Sequence, residues 1–193
     1  MSREVEPLEQ PVITTPRLVL RDFREDDWAA VHEYAADLDV VRYMPWGPNS
    51  EKDTMAFIER ALAARAETPR TKFEFAVTLA ETTRLIGGCG IRVASRTDRS
   101  ADMGYCLRKD AWGRGYATEA AAAVVAFGFD VLNSHRVFAT CDTENLASAR
   151  VLEKVGMRRE AHFRGDTRLR GRWRDSYLYA VLEQEWRGRR ESR

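Results

Sequence analysis

Asp102-Met-Gly-Tyr-Cys-Leu-Arg-Lys-Asp-Ala-Trp-Gly-Arg-Gly-Tyr-Ala-Thr-Glu-Ala120 holds a strand, a glycine-rich turn and a helix start in nineteen residues. Asp102–Arg108 reads as the strand. Tyr116 opens an Ala-rich helix that the pattern carries to Leu132. Gly113 and Gly115 allow positive φ and leave room for a ligand against the backbone. The N–H groups of Arg114–Thr118 then sit at the positive end of the helix dipole, and Arg114 adds charge. Together they form an anion cradle suited to phosphate or pyrophosphate. A tight strand–helix joint is the competing reading of the same glycines. No Gly-Lys-Ser/Thr follows, so the turn is not the mononucleotide loop. The dinucleotide fingerprint also fits poorly: its third glycine is missing, and the preceding strand belongs to a meander.

Upstream, Lys72–Ala80 alternates, with Phe73, Phe75, Val77 and Leu79 on one face. Leu85–Ala94 is a second strand, softened by Gly87, Gly88 and Gly90. Short turns join these to Asp102–Arg108 as an antiparallel meander. Arg17–Phe23 is an earlier strand. A helix starts at Asp26 and runs to about Asp37, and a second is opened by the Ser50–Asp53 capping box and closed at Thr68-Pro69. Downstream come a strand at His135–Asp142, a helix at Asn145–Val155 stopped by Gly156, and a final strand pair at Met157–Phe163 and Trp173–Leu182. The fold class is α/β, a mixed sheet covered by helices. Residues 12–186 form one domain. Residues 1–11 and 187–193 are loose termini, and the whole polar stretch Glu183–Arg193 is expected to fray.

The chain has 193 residues, 44% hydrophobic and 32% charged, enough to bury a core and unlike a disordered sequence. With 31 basic against 30 acidic residues the net charge is +1, so no whole-protein field gathers nucleic acid. Seven arginines fall between Arg158 and Arg174. They could hold RNA or an acidic protein, but arginine is abundant throughout and a solvated hairpin is the preferred reading. The three cysteines form no C-x-x-C pair and the three histidines are scattered, so neither a disulfide framework nor a metal site is expected. No apolar run reaches the roughly 18 residues that span a bilayer, and Met1–Glu9 has no apolar signal core. A soluble cytoplasmic protein, with no membrane partner, is expected.

Four blocks resemble the GNAT acyltransferases, in particular their RimJ/RimL-like branch. They are Trp112-Gly-Arg-Gly115-Tyr-Ala117, with Trp at the family's usual Arg/Gln position; Asn145-Leu-Ala-Ser148-Ala-Arg150-Val-Leu-Glu-Lys154-Val-Gly156-Met157; Thr15–Arg21; and Gly171-Arg-Trp173-Arg-Asp175. The resemblance implies the GNAT fold, an antiparallel meander followed by two parallel strands that splay apart, with helices on both faces. The strands would be Asp102–Arg108 and His135–Asp142. The arm of acetyl-CoA would lie in the gap like an added strand. Tyr105, Cys106, Leu107, Trp112, Gly113, Arg114, Gly115, Tyr116, Ala117, Thr118, Asn145 and Arg150 would hold this co-substrate, with no metal.

The implied reaction is acetyl transfer to a primary amine by direct attack in a ternary complex. An α-amine has a pKa of roughly 8 and a lysine amine of about 10.4, so either must lose a proton first. Ser148 is the first candidate to protonate the departing thiolate, because the family's frequent tyrosine falls at Leu152 here. A hydroxyl bonded to a backbone carbonyl is its plainer reading, as helix capping is for Asn145. Asp102, Glu160 and Glu74 are alternative bases, each weighed against an ordinary ion-paired carboxylate. Trp46, Glu74 and Trp173 are candidates for the acceptor site. Cys106 is favoured as a buried hydrophobe over an acyl carrier. The expected acceptor is a protein N-terminal amine or else a small-molecule amine such as a polyamine or antibiotic. A non-catalytic CoA-binding or RNA-associated module is the alternative. The oligomeric state is open, with a homodimer as one option.

Overall fold

The computed structural model describes residues 10–191. Its strands are β1 (Ile13–Thr14), β2 (Leu18–Asp22), β3 (Lys72–Leu79), β4 (Leu85–Ser95), β5 (Ser100–Leu107), β6 (Arg136–Asp142), β7 (Arg158–Leu169) and β8 (Arg172–Leu182). Its helices are α1 (Trp28–Ala35), α2 (Glu51–Ala66), α3 (Tyr116–Asp130), α4 (Leu146–Val155) and α5 (Glu183–Glu191). The strands form one mixed sheet in the order β1-β2-β3-β4-β5-β6-β8-β7. β2 to β5 are the antiparallel meander, and β5 with β6 is the parallel pair.

Alternation decides which face each strand residue covers. Phe73, Phe75 and Val77 point to the α3–α4 side, where Phe127 meets both phenylalanine rings edge-on at 5.1 and 5.4 Å. Ala76, between them, faces the other way and joins Phe23, Val31, Tyr34 and Ile58 under α1 and α2. The helices therefore lie on both faces, as expected. α2 begins at the anticipated box: Asp53 N–H donates to Ser50 Oγ, and Ser50 N–H donates back to Asp53.

β5 and β6 pair over three positions only, Ser100–Arg136, Ala101–Val137 and Asp102–Phe138. Beyond that, β5 continues against β4 as far as Leu107, and β6 continues against β8 as far as Asp142. The two strands diverge with their facing edges unpaired.

Two stretches differ from the sequence reading. β7 runs on to Leu169, because Thr167–Leu169 pair with Arg172–Arg174 beyond an irregularity after Phe163. Glu183–Glu191 is helical rather than frayed. Its Trp186 packs against Phe129, and Arg187 pairs with Glu183 one turn back. The expected loose arm 1–11 lies, up to residue 9, outside the described residues. Among the described residues no helix is long and apolar enough to cross a membrane.

Candidate active site

The turn between β5 and α3 is fixed by Trp112, whose indole N–H donates to the Leu107 carbonyl at 2.8 Å. Gly113 and Gly115 follow with φ of 73° and 80°, in the left-handed region where a side chain is strained. The helical hydrogen bonds of α3 begin with Glu119 N–H to the Gly115 carbonyl at 3.1 Å. The amides of Gly115–Thr118 precede that bond and have no partner within the helix. Glu119 would repel an anion here, but it is neutralised. Arg17 binds it through its backbone N–H (2.9 Å) and Nε (2.7 Å), Thr15 Oγ1 donates at 2.7 Å, and Arg17 Nη1 also holds the Arg114 carbonyl at 3.0 Å. Burial pushes the Glu119 carboxyl up, but these hydrogen bonds outweigh it and hold the group below its ordinary value. The Thr15–Arg21 block thus has a local task, to brace the cradle and cancel its one carboxylate.

A cavity of about 480 Å³ starts at this turn and runs between β5 and α4. Eleven of the twelve residues expected to hold acetyl-CoA line it; Arg114 is exposed beside it. Arg150 and Lys154 of α4 face it as further cations. The free amides, the open glycine turn and the bordering cations fit a diphosphate-bearing ligand at that end.

A second cavity, about 270 Å³, lies in the gap between the diverging strands, lined by Met103, Gly104 and Tyr105 on one side and Ala139–Asp142 on the other. Tyr105, Asn145 and Ser148 belong to both cavities. Asn145 Oδ1 accepts from Ser148 N–H at 3.1 Å, which realises the capping role and leaves its amide nitrogen to donate. The Tyr105 hydroxyl donates to the Ser148 carbonyl at 3.1 Å and lies 2.9 Å from Ser148 Oγ. Burial pushes the Tyr105 hydroxyl well up, so it keeps its proton. Ser148 also contacts the Cys141 thiol, which burial raises to about 11. Burial takes the Cys106 thiol to about 12. Both cysteines are neutral near pH 7, which suits packing and not acyl transfer through a thiolate.

The candidate bases lie elsewhere. Asp102 stands one residue before the strands part, outside both cavities, bonded to Arg92 at 2.7 Å. Burial raises its carboxyl, with Arg92 opposing. Glu160 lies at the closed end of the strand pair, where Arg136 at 2.6 Å holds it below its ordinary value. That placement keeps it outside both cavities. Glu74 pairs with Lys72 at 3.1 Å, and its carboxylate covers Gly90 on the α1–α2 face of the sheet. Trp46 and Trp173 also stand outside the two cavities; Trp173 is 67% exposed on β8. Tyr43 and Met44, from the loop after α1, line both cavities instead. Leu152 is buried in the wall of the second cavity.

The sequence places Arg174 among the seven clustered arginines read as a solvated hairpin and does not mark it as a site residue. Arg174 lines the second cavity and grips Asp142 through two hydrogen bonds, at 2.8 and 2.9 Å, and Glu144 at 2.7 Å. The available signal was the spacing of Arg172 and Arg174, which puts both on one strand face.

Residues 17–158 match the sequence profile described as "Acetyltransferase (GNAT) domain". The chain is 38% identical over 174 residues to the uncharacterised N-acetyltransferase YnaD of Bacillus subtilis, covering 90% of this chain and 98% of that protein. It is 24% identical over 182 residues to the Escherichia coli [ribosomal protein uS5]-alanine N-acetyltransferase, covering 90% and 92%. The crystal structure of a GNAT-family acetyltransferase from Bacillus anthracis superimposes with a TM-score of 0.80 at 36% identity, covering 90% of this chain and 99% of that one. The profile match spans most of the chain, and the diverging strands and glycine turn agree with it: this protein belongs to the GNAT family of acetyltransferases.

Proposed function

We propose that the chain transfers an acetyl group from acetyl-CoA to the α-amine at a protein N-terminus, without a covalent enzyme intermediate. The carrying observation is the junction of the two cavities at Ser148 and Tyr105. A donor cradle at one end and a gap between open strand edges at the other bring a carrier-bound acyl group to that junction, which makes the second cavity the acyl cleft. The relative that acetylates an alanine of ribosomal protein uS5 supports the choice of acceptor.

Acetyl-CoA supplies the activated acyl group; the chain's residues position it and manage protons. The Gly115–Thr118 amides hold the diphosphate. Backbone N–H groups of the β5 segment Tyr105–Leu107 supply the donor for oxygen that gains negative charge. Ser148 holds a proton at the junction for the sulfur that leaves, and the Tyr105 hydroxyl, 2.9 Å away, keeps that group oriented. Such an acid contributes about 10²–10⁴-fold to rate. Asp102 lies on the same strand face as Gly104, which lines the cleft, so it takes the amine's proton through water. Its raised carboxyl makes it a better base than an ordinary aspartate.

The test is thiol release from acetyl-CoA with a panel of N-terminal peptides and small amines, with mass spectrometry locating the acetyl group. Acetylation at the peptide α-amine is expected. Acetylation confined to polyamines or lysine side chains would refute the acceptor assignment. Binding of CoA without turnover across the panel would favour the non-catalytic module.

A further inference from the structure

A third cavity, about 410 Å³, adjoins the acyl cleft and shares Tyr43, Leu169 and Arg174 with it. Four guanidinium groups line it, those of Arg42, Arg170, Arg172 and Arg174, against the single carboxylate of Glu144. Arg174 is occupied by Glu144 and by Asp142 from the neighbouring cleft. Among the described residues Arg170 donates only to neutral carbonyls, of Val41 at 2.9 Å, Arg42 at 3.1 Å, Gly47 at 3.0 Å and Trp46 at 3.4 Å. Those bonds tie the β7–β8 turn to the loop carrying Tyr43 and Met44, and they leave the Arg170 charge uncancelled. Arg42 lies over the Tyr43 ring at 5.5 Å. Asp39, whose field reaches Arg42, is bound by Lys109. Among the described residues neither Arg42 nor Arg172 forms an ion pair. The mouth of the acyl cleft therefore carries more positive than negative charge, on a chain whose net charge is only +1.

We infer that this recess reads a carboxylate on the acceptor: the preferred substrate is an amine whose own chain carries an acidic group shortly beyond the reacting nitrogen, and polycationic amines are disfavoured. The inference rests on the proposed reading that acceptors enter through the cleft between β5 and β6. A basic recess attracts the acidic group and repels a polyamine by the same field. The positive groups converge on a concavity at the cleft mouth, which suits a short acidic segment better than the extended track a nucleic acid strand needs.

The test compares kcat/KM for hexapeptide amides differing only at positions two and three, acidic, neutral or basic, together with spermine. The acidic peptide is expected to lead the neutral one by about threefold per charge, as for an exposed ion pair, with the basic peptide and spermine last. Raising salt from about 0.1 to 1 M should flatten the ranking as the screening length shortens from about 10 to 3 Å. Arg172→Glu should shift the acidic-to-basic ratio by about tenfold, and Arg172→Gln by about half that on a logarithmic scale. The salt series on the unaltered protein needs no variant and is independent of folding effects. Turnover of peptides regardless of charge would overturn this inference and leave the N-terminal reading standing. Turnover of spermine with no peptide would overturn both. Charge-blind turnover with RNA binding that Arg172→Glu abolishes would reassign the recess to nucleic acid.

Discussion

Replacing Gly115 by Asp and by Asn separates the charge of the cradle from its backbone geometry. At φ 80° either side chain is strained, though Asn and Asp tolerate this region better than most residues. Each variant should lose about 1 kcal/mol of stability, lowering Tm by about 2–4 °C for a chain of this size. A Cβ at this position would approach a single group within 4 Å, Arg17 Nη2 at 3.4 Å. That guanidinium is already committed to Glu119, so it does not neutralise a new carboxylate. Only Asp adds a negative charge facing the free amides. One charge pair at roughly 6 Å is worth about 0.7 kcal/mol at the dielectric of water and about 2.8 kcal/mol at an effective value of 20. A diphosphate supplies more than one such pair. CoA should therefore bind the Asp variant at least about tenfold more weakly than the Asn variant in calorimetry at low salt, and the gap should narrow at 1 M salt. Equal affinity of the two variants, both folded, would refute the placement of the diphosphate at Gly115–Thr118.

Ser148→Ala should lower kcat about 100-fold with little change in KM for acetyl-CoA, and Tyr105→Phe about tenfold. The double variant should be no slower than Ser148→Ala alone, because the two hydroxyls act as one unit; steady-state kinetics on the four proteins checks this. Glu119→Gln should lower stability, because the neutral amide holds Arg17 and Thr15 less strongly than the carboxylate does. Since Glu119 titrates below its ordinary value of 4.5, its contribution is complete above that pH and fades as pH falls through the lowered folded value, so the stability curves of variant and wild type should converge in acid. Leu152→Ala removes a side chain only 1% exposed, costs about 2–5 kcal/mol and widens the acyl cleft, so use of propionyl-CoA relative to acetyl-CoA should rise in a thiol-release assay.

What the sequence disclosed was what short range determines. Phe73, Phe75 and Val77 announce β3 because their alternation is complete within the strand, and the Ser50–Asp53 box is complete within four residues. The cradle is equally local: two glycines, a helix start and a flanking Trp suffice. β7 is an exposed edge strand rich in arginine, so it carries little apolar alternation, and α5 owes its order to Trp186 meeting Phe129 across the fold. The base was the least legible part. Whether Asp102, Glu74 or Glu160 is free depends on which arginine or lysine the sheet brings alongside, and Arg92, Lys72 and Arg136 each found one. Tertiary partners of that kind leave no mark in spacing.

The open strand edges carry the strongest physical argument for a bound carrier chain. Past Asp102, β5 gives one edge to β4, through Gly104–Gly90 to Leu107–Gly87, and β6 gives one edge to β8, through Ala139–Tyr179 to Asp142–Ser176. The other edge of each strand faces the gap. Backbone N–H and C=O groups inside a protein need partners, and a gap this deep in a sheet leaves such groups to water or to an extended ligand. Two features keep the sheet from closing to satisfy them. Arg174 draws the end of β6 toward β8 through Asp142, and the Tyr105–Ser148 bond seats α4 over the parting strands. A chain with amide groups of its own, entering along β5, would complete the edge as an added strand while its terminus reaches Ser148. Loosening Arg174 should therefore act twice, releasing Asp142 from its partner and letting β6 relax toward β5, and the acyl cleft would narrow before the cradle was touched.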